Sequence, residues 1–100
     1  MRLGPAAAVK AGTGQRVDVN GTEVAVFNLD GQYFAVSGTC PHHGGPIGDG
    51  RVSGTTVECP WHRWEYDIMT GRRVDKVGSP LETFEIVCVE GSLICVDPPQ

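Results

Sequence analysis

Turn signals at short intervals divide this chain into segments too brief for long helices. Five dipeptides that end in glycine are typical turn signals, and 14 glycines and 7 prolines are present in all. The five dipeptides are Asn20-Gly21, Asp30-Gly31, Asp49-Gly50, Ser53-Gly54 and Glu90-Gly91. Asn-Gly and Asp-Gly favour the tight turn that joins two antiparallel strands. We therefore predict an all-β fold.

Between the turns lie runs rich in β-branched and aromatic residues, which favour strands. The predicted strands are Arg16 to Val19, Glu23 to Leu29, Gln32 to Val36, Thr55 to Cys59, Glu65 to Asp67, Thr83 to Val89 and Leu93 to Val96. Several alternate between apolar and polar residues, which indicates antiparallel sheets with one buried face each. We expect a small β sandwich or barrel, with loose ends at the first five residues and at 97–100.

Size and charge limit the function. One hundred residues suit a single domain, residues 1–100, with one modest core. A net charge of −4 argues against a nucleic-acid partner and favours partners with basic faces. No secretory signal or membrane span is visible, so we expect a cytoplasmic protein with no membrane partner. The four cysteines are then expected to be thiols or metal ligands rather than disulfides.

Residues 40–66 hold all three histidines and two of the four cysteines. Cys40 and His42 form a C-x-H pair, and Cys59 and His62 form a C-x-x-H pair, with sixteen residues between them. At strand ends each pair can converge on one metal site. Two thiolates and two imidazoles suit either a tetrahedral zinc or a [2Fe–2S] cluster, so ligand type alone does not choose.

The distribution of these ligands favours the cluster. Structural zinc sites of this composition usually place both cysteines in one loop and both histidines in the other. Here each loop has one of each. That suits a two-iron cluster in which one iron takes both cysteines and the other takes both histidines.

The paired motifs resemble those of the Rieske-type ferredoxins. They are Cys40-Pro41-His42 and Cys59-Pro60-Trp61-His62, with Gly44-Gly45-Pro46 between them and Trp64-Glu65-Tyr66-Asp67 after them. The resemblance extends over residues 16–97, and it implies an antiparallel β fold in which two loops, within about residues 38–68, form a cluster-binding subdomain.

In that family the cluster lies at the tip of the two loops and passes single electrons. The resemblance implies one Rieske-type [2Fe–2S] cofactor and a carrier between a flavin-dependent reductase and a terminal oxygenase. Some relatives are instead similar to the small subunit of an NAD(P)H-dependent nitrite reductase, whose partner is the large subunit. The chain is thus expected to be a component of an oxidoreductase system with no catalytic residue of its own.

The resemblance also bears on the reduction potential. High-potential relatives have an extra cysteine in each loop and a serine that bonds to sulfide; the matching positions are Gly45, Trp61 and Trp64. Fewer hydrogen bonds to sulfur predict a potential at the low end of the family. Tyr66 matches a tyrosine that bonds a ligand thiolate in the high-potential group.

The remaining loop residues have structural or docking interpretations. His43 is a surface residue at the rim, with a partner contact as its functional alternative. Gly44, Gly45 and Pro46 are expected to shape a tight loop whose N–H groups can face sulfide.

The residues around the second histidine divide between surface and core. Trp61 and Arg63 flank His62 and either form a docking patch or pack locally. Trp64 and Tyr66 are expected to pack beneath the cluster. Arg63 stands where relatives commonly have glycine.

Cys88 and Cys95 lie in the last predicted hairpin. A two-residue turn at Glu90-Gly91 places Cys88 opposite Leu93 and Cys95 opposite Ile86, so no disulfide is expected. We predict two small buried thiols.

Overall fold

A computed structural model of the chain describes residues 2–41, 44–61, 63–74 and 78–97. These residues form ten strands, two 3-10 turns and no α-helix. The strands are β1 (Arg2–Pro5), β2 (Thr13–Val19), β3 (Thr22–Leu29), β4 (Gln32–Ser37), β5 (Arg51–Ser53), β6 (Thr56–Glu58), β7 (Glu65–Asp67), β8 (Thr83–Phe84), β9 (Ile86–Val89) and β10 (Ser92–Cys95). The 3-10 turns are Ala6–Ala8 and Ile47–Asp49. The all-β prediction is confirmed.

The described strands form three antiparallel sheets. The strand orders are β1-β10-β9, β2-β3-β4-β8 and β5-β6-β7. Strand β4 leads to the loop that begins at Cys40, and the loop that begins at Cys59 connects β6 to β7 of the small β5-β6-β7 sheet. Sheet ends therefore position both candidate ligand loops.

Strand β3 is buried on both faces, whereas the sequence predicted one buried face for each sheet. Ala25 and Phe27 join the core that also contains both loop cysteines. Val24 and Val26 join a second core between β3 and the β1-β10-β9 sheet. The difference arises because β3 is a central strand, covered by one group of elements on each side.

Three predictions about strands are wrong. The predicted loose end at the first five residues is wrong for residues 2–5, because β1 pairs antiparallel with β10; residue 1 lies outside the described residues. The strand Arg51–Ser53 was missed, since three residues give too short an alternation to detect. The predicted strand from Thr83 to Val89 is broken at Glu85, where the backbone N–H donates to Asp97 Oδ1 at 2.8 Å. That break moves the chain from the β4 sheet to the β10 sheet.

The last hairpin has the register that its turn predicts. Cys88 lies opposite Leu93 and Cys95 opposite Ile86. The four cysteines, all within the described residues, form no disulfide. Cys95 is buried, but Cys88 is exposed, which corrects its prediction as a buried thiol. Cys88 lies on β9, which is an edge strand of its sheet and is not covered by another layer at this point.

Within the described residues, no helix has the length and apolar character that spanning a bilayer requires.

Candidate metal centre

The first loop, residues 40–45, is closed by two backbone hydrogen bonds. The N–H of Cys40 donates to the carbonyl of Gly45, and the N–H of Gly44 donates to the carbonyl of Cys40, both at 2.8 Å. Gly44 has a φ of +77°, a left-handed conformation that glycine adopts at little cost. The loop is continued by Pro46, which forms a β-bridge with Thr39. The predicted tight loop at Gly44, Gly45 and Pro46 is therefore present.

The second loop, residues 59–64, repeats the same backbone pattern. The N–H of Cys59 donates to the carbonyl of Trp64, and the N–H of Arg63 donates to the carbonyl of Cys59, again at 2.8 Å. Arg63 has a φ of +58°, so it occupies the left-handed position that Gly44 has in the first loop. For a residue with a Cβ this conformation costs about 1–2 kcal/mol. The turn survives the replacement of glycine by arginine at the expense of local strain.

The two loops bring two buried cysteines into one core. Cys40 is 1% exposed and Cys59 is 0% exposed. Both belong to the core that also includes Ile47 and Tyr66. Neither forms a disulfide, so both thiols are chemically available as ligands.

The histidines of the motif, His42 and His62, lie outside the described residues, as does His43. His42 is two residues after Cys40, and His62 is three residues after Cys59. Their role as ligands stays a prediction, as does a surface position for His43.

Tyr66 connects β7 to the first cysteine. Its hydroxyl lies 3.5 Å from the Sγ of Cys40, and its side chain is fully buried. Burial, and secondly the neighbouring Cys40, raise the pKa of the Tyr66 hydroxyl. The phenol therefore keeps its proton and can donate it in a hydrogen bond to a thiolate. This confirms that Tyr66 packs in the core and that its hydroxyl reaches a candidate ligand.

Gly45 is where the two loops come closest. A Cβ at this position would lie 2.8 Å from the Sγ of Cys59 and 3.1 Å from the Cγ of Trp61. The first distance is shorter than a carbon and a sulfur tolerate without movement. Gly45 thus allows the backbone of the first loop to lie against the sulfur of the second.

Trp64 packs at the edge of the core under an arginine. It is partly buried against the residues around both cysteines. The guanidinium carbon of Arg73 lies 3.3 Å from the centroid of its ring, a cation–π contact. Arg73 also forms a β-bridge with Tyr66. The packing of Trp64 was predicted, but Arg73 was missed, because nothing in the sequence links a residue after the Thr70-Gly71 turn to this ring.

The second loop exposes two side chains beside its histidine. Trp61 is 58% exposed, and Arg63 is also exposed. The base of the Trp61 side chain lies against Gly45 of the first loop, while more than half of the side chain remains in solvent. Exposure is consistent with a docking role, which stays a prediction.

Known proteins place this geometry in one family. The sequence profile of the Rieske [2Fe-2S] domain matches residues 1–85. The chain belongs to the Rieske [2Fe–2S] domain family. The 3-phenylpropionate/cinnamic acid dioxygenase ferredoxin subunit of Shigella boydii is 34% identical over 98 residues, which cover 96% of this chain and 91% of the relative.

Solved structures of Rieske proteins share the fold over nearly the whole chain. A ferredoxin of Sphingomonas yanoikuyae B1 superposes with a TM-score of 0.89 at 33% identity, covering 99% of this chain and 98% of that one. The ferredoxin-sized chain in a complex of oxygenase and ferredoxin of carbazole 1,9a-dioxygenase gives 0.87 at 28% identity, over 96% of this chain and 100% of that one. A putative NADH-dependent nitrite reductase small subunit of Mycobacterium tuberculosis shares the fold alone, with a TM-score of 0.85 at 23% identity, over 93% and 89% of the two chains.

The residues of this Rieske chain fit the cluster that the family binds. Two buried thiols come from two different loops, and a protonated hydroxyl lies against one of them. Gly45 leaves room at the second sulfur that a side chain would fill. A structural zinc site would use the same donors, but it does not account for two matched loops that each have one cysteine and one histidine.

Proposed function

We propose that this Rieske protein is a one-electron carrier, a ferredoxin that receives electrons from a flavin-dependent reductase and delivers them to a terminal oxygenase. The observation that supports this most directly is the pair of matched loops, which bury Cys40 and Cys59 and place Trp61 in solvent beside the second histidine. A buried ligand shell with an exposed tip suits transfer to a partner rather than chemistry on a substrate.

Each loop contributes two ligands in this proposal. Cys40 and Cys59 hold one iron, and His42 and His62 hold the other. The cluster supplies a reversible one-electron couple, with potentials of about −150 to +300 mV across Rieske centres. Tyr66 donates a hydrogen bond to the Cys40 thiolate, which stabilises negative charge on the sulfur. Since the chain has no serine and no extra cysteine at the loop positions where high-potential relatives have them, we expect a potential in the lower part of the range.

The whole chain, residues 1–100, serves as one Rieske domain, and we place it in the cytoplasm with its reductase and oxygenase. The identity of 34% to a dioxygenase ferredoxin subunit over most of both chains favours the oxygenase system. The second candidate function is that of a nitrite reductase small subunit, which the similarity of fold supports.

Reduction by a flavoprotein tests the carrier role. The purified protein is mixed with NADH and a flavin-dependent ferredoxin reductase, and electron delivery is followed as cytochrome c reduction. We expect the rate to depend on the concentration of the protein and to vanish for Cys59→Ser. A rate independent of the protein would contradict the carrier role.

Size exclusion of the native complex separates the candidates, because a free carrier elutes alone and a permanent subunit elutes with its large partner.

A further inference from the structure

Arg63 is unusual among the described residues with left-handed backbone. Three other residues besides glycine have a positive φ. They are Asn20, Asp30 and Glu90. Each of these three immediately precedes a glycine in a two-residue hairpin turn, where a left-handed first position is built into the turn. Arg63 precedes Trp64 instead, in a candidate ligand loop.

The same turn is made by glycine in the first loop. Gly44 donates the matching hydrogen bond at a φ of +77°. Glycine at position 63 would therefore satisfy the backbone with less strain. Strained positions that persist in a fold cluster at functional sites, so the side chain of Arg63 is the feature to explain.

No contact within the described residues explains this side chain. Arg16, by comparison, pairs with Glu23 at 2.9 Å, and Arg73 stacks on Trp64. Arg63 makes no ion pair and no side-chain hydrogen bond with the described part of the chain, and it is exposed to solvent. The described part of the chain therefore does not account for this guanidinium.

The net charge of the chain comes from one segment of the sequence, which does not include either ligand loop. The final described segment, residues 78–97, has four carboxylates and no basic residue. Its charge therefore equals the net charge of the whole chain, −4. The carboxylates are Glu82, Glu85, Glu90 and Asp97. Glu82 bonds through its backbone to Ser37, at the end of β4 that leads to the first loop. From β8, which runs antiparallel to β4, the chain then continues away from that loop to the hairpin turn at Glu90. Acidic and basic residues balance in the rest of the chain, which includes both loops, so the net charge of the chain does not determine the local charge beside Arg63.

We propose that Arg63, beside exposed Trp61, forms a contact for a carboxylate on the surface of the electron-transfer partner. This inference rests on the proposed carrier function and specifies the partner chemistry at its docking face. Arginine and tryptophan are the residues that most often anchor protein interfaces, and a guanidinium pairs with a carboxylate through two parallel hydrogen bonds. The expectation from net charge, a basic partner face, is thereby reversed at the docking face.

Small redox probes of opposite charge measure the electrostatic field at the part of the surface from which the electron leaves the protein. The reduced protein is mixed by stopped flow with cobalt(III)–EDTA, an anion, or with cobalt(III) hexaammine, a cation. Each Co(III) takes one electron to become Co(II), and the protein returns to its oxidised form. The variants are Arg63→Gly and Arg63→Lys, with Lys10→Gln as the control, because Lys10 is an exposed cation beside the start of β2 at the opposite end of β3 and β4.

For Arg63→Gly, we expect the ratio of the anion rate to the cation rate to fall by about threefold or more at low ionic strength. One elementary charge at roughly 7 Å in water changes the rate of a singly charged probe by about threefold, and the opposite charges of the two probes make the change in their ratio larger. Lys10→Gln, with the same loss of charge, should change the ratio much less, and Arg63→Lys should retain it. The difference should shrink in high salt, which screens exposed charges.

Equal effects of Arg63→Gly and Lys10→Gln would overturn the inference, because the probes would then sense net charge alone. So would an unchanged ratio in Arg63→Gly. The electron paramagnetic resonance (EPR) signal of each reduced variant is recorded alongside. A wild-type protein without a cluster signal would refute the carrier function itself, whereas an intact signal with no charge effect would refute only the role of Arg63.

Discussion

The two ligand loops have one backbone design and opposite side-chain choices. The first loop has Gly44 and Gly45 where the second has Arg63 and Trp64, although the hydrogen bonds that close the two loops are the same. Gly45 lets the first loop lie against the sulfur of Cys59. The second loop projects large side chains outward and over the core. The backbone of each loop thus holds its cysteine in place. The side chains at the remaining positions determine whether the loop packs closely against the site or exposes large side chains to solvent.

If the shared backbone serves to hold ligands, both loops should fail equally when their cysteine is lost. Cys40→Ser and Cys59→Ser are each expected to abolish the cluster, because a serine oxygen is a poor substitute for thiolate at iron. The visible absorption spectrum and the iron content of the purified variants measure this. Cys88→Ser is the matched control, since Cys88 is exposed on β9 and should leave the iron content unchanged. Full iron content in either ligand variant would contradict the assignment.

Gly45→Ala tests the claim that the first loop must approach the second closely. The new methyl group would lie 2.8 Å from the Sγ of Cys59, so the loops must move apart. We expect a loss of about 1–3 kcal/mol in the free energy of unfolding of the apoprotein, the usual effect of overpacking, together with lower iron content. Urea unfolding and an iron assay provide the measurements.

Gly44→Ala is the comparison for that result. Among the described residues its methyl group would meet the Cγ2 of Thr39 alone, at 3.8 Å, so we expect backbone strain to be its main penalty. We expect a loss of roughly 1 kcal/mol with normal iron content. If Gly44→Ala lowered the iron content as much as Gly45→Ala, the close approach at Gly45 would not be the deciding feature.

Tyr66→Phe removes the hydroxyl from the sulfur of the first loop. A neutral hydrogen bond contributes about 0.5–1.5 kcal/mol, and a tenfold change in a one-electron equilibrium is 59 mV. We therefore expect the potential to fall by roughly 20–60 mV, as measured by voltammetry. Tyr33→Phe is the control, because the Tyr33 hydroxyl contacts the carbonyl of Ala6 at 3.4 Å, in the other core. An unchanged potential in Tyr66→Phe would show that the hydroxyl does not bond to the ligand.

Arg63→Gly should have the smallest effect on the free energy of unfolding, and it should raise this free energy, whereas Gly44→Ala and Gly45→Ala should lower it. Release of left-handed strain is partly offset by the greater entropy of glycine in the unfolded chain, so we expect a gain of about 0.5 kcal/mol. Urea unfolding of the apoprotein measures it. Arg72→Gly serves as control, because Arg72 is exposed but has no positive φ and should lose stability instead. A loss of stability in Arg63→Gly would mean that the arginine is held by contacts within the chain.

The sequence predicts the parts of this fold that local patterns determine. Asn20-Gly21, Asp30-Gly31 and Glu90-Gly91 set three hairpins, and the last of them has the register that a two-residue turn requires. The core position of Tyr66 follows from alternation along its strand. The paired C-x-H and C-x-x-H motifs gave the two loops, and the family resemblance is confirmed.

Features that depend on distant contacts were not predictable. β1 has glycine and proline in a four-residue strand and forms only because β10 is available beside it. The break at Glu85 depends on an acceptor from Asp97, twelve residues away. Cys88 alternates like a buried residue, yet no layer covers it. The stacking of Arg73 on Trp64 joins two loops whose proximity only the folded chain provides.

The most direct test of the central claim, that both matched loops bind one mixed cysteine and histidine cluster, is low-temperature EPR of the anaerobically purified, dithionite-reduced protein, with an iron and sulfide assay. We expect two irons and two sulfides per chain and a rhombic signal whose average g value is well below that of all-cysteine clusters. A colourless protein that contains zinc and gives no EPR signal would contradict the claim and leave the two loops as a structural metal clip.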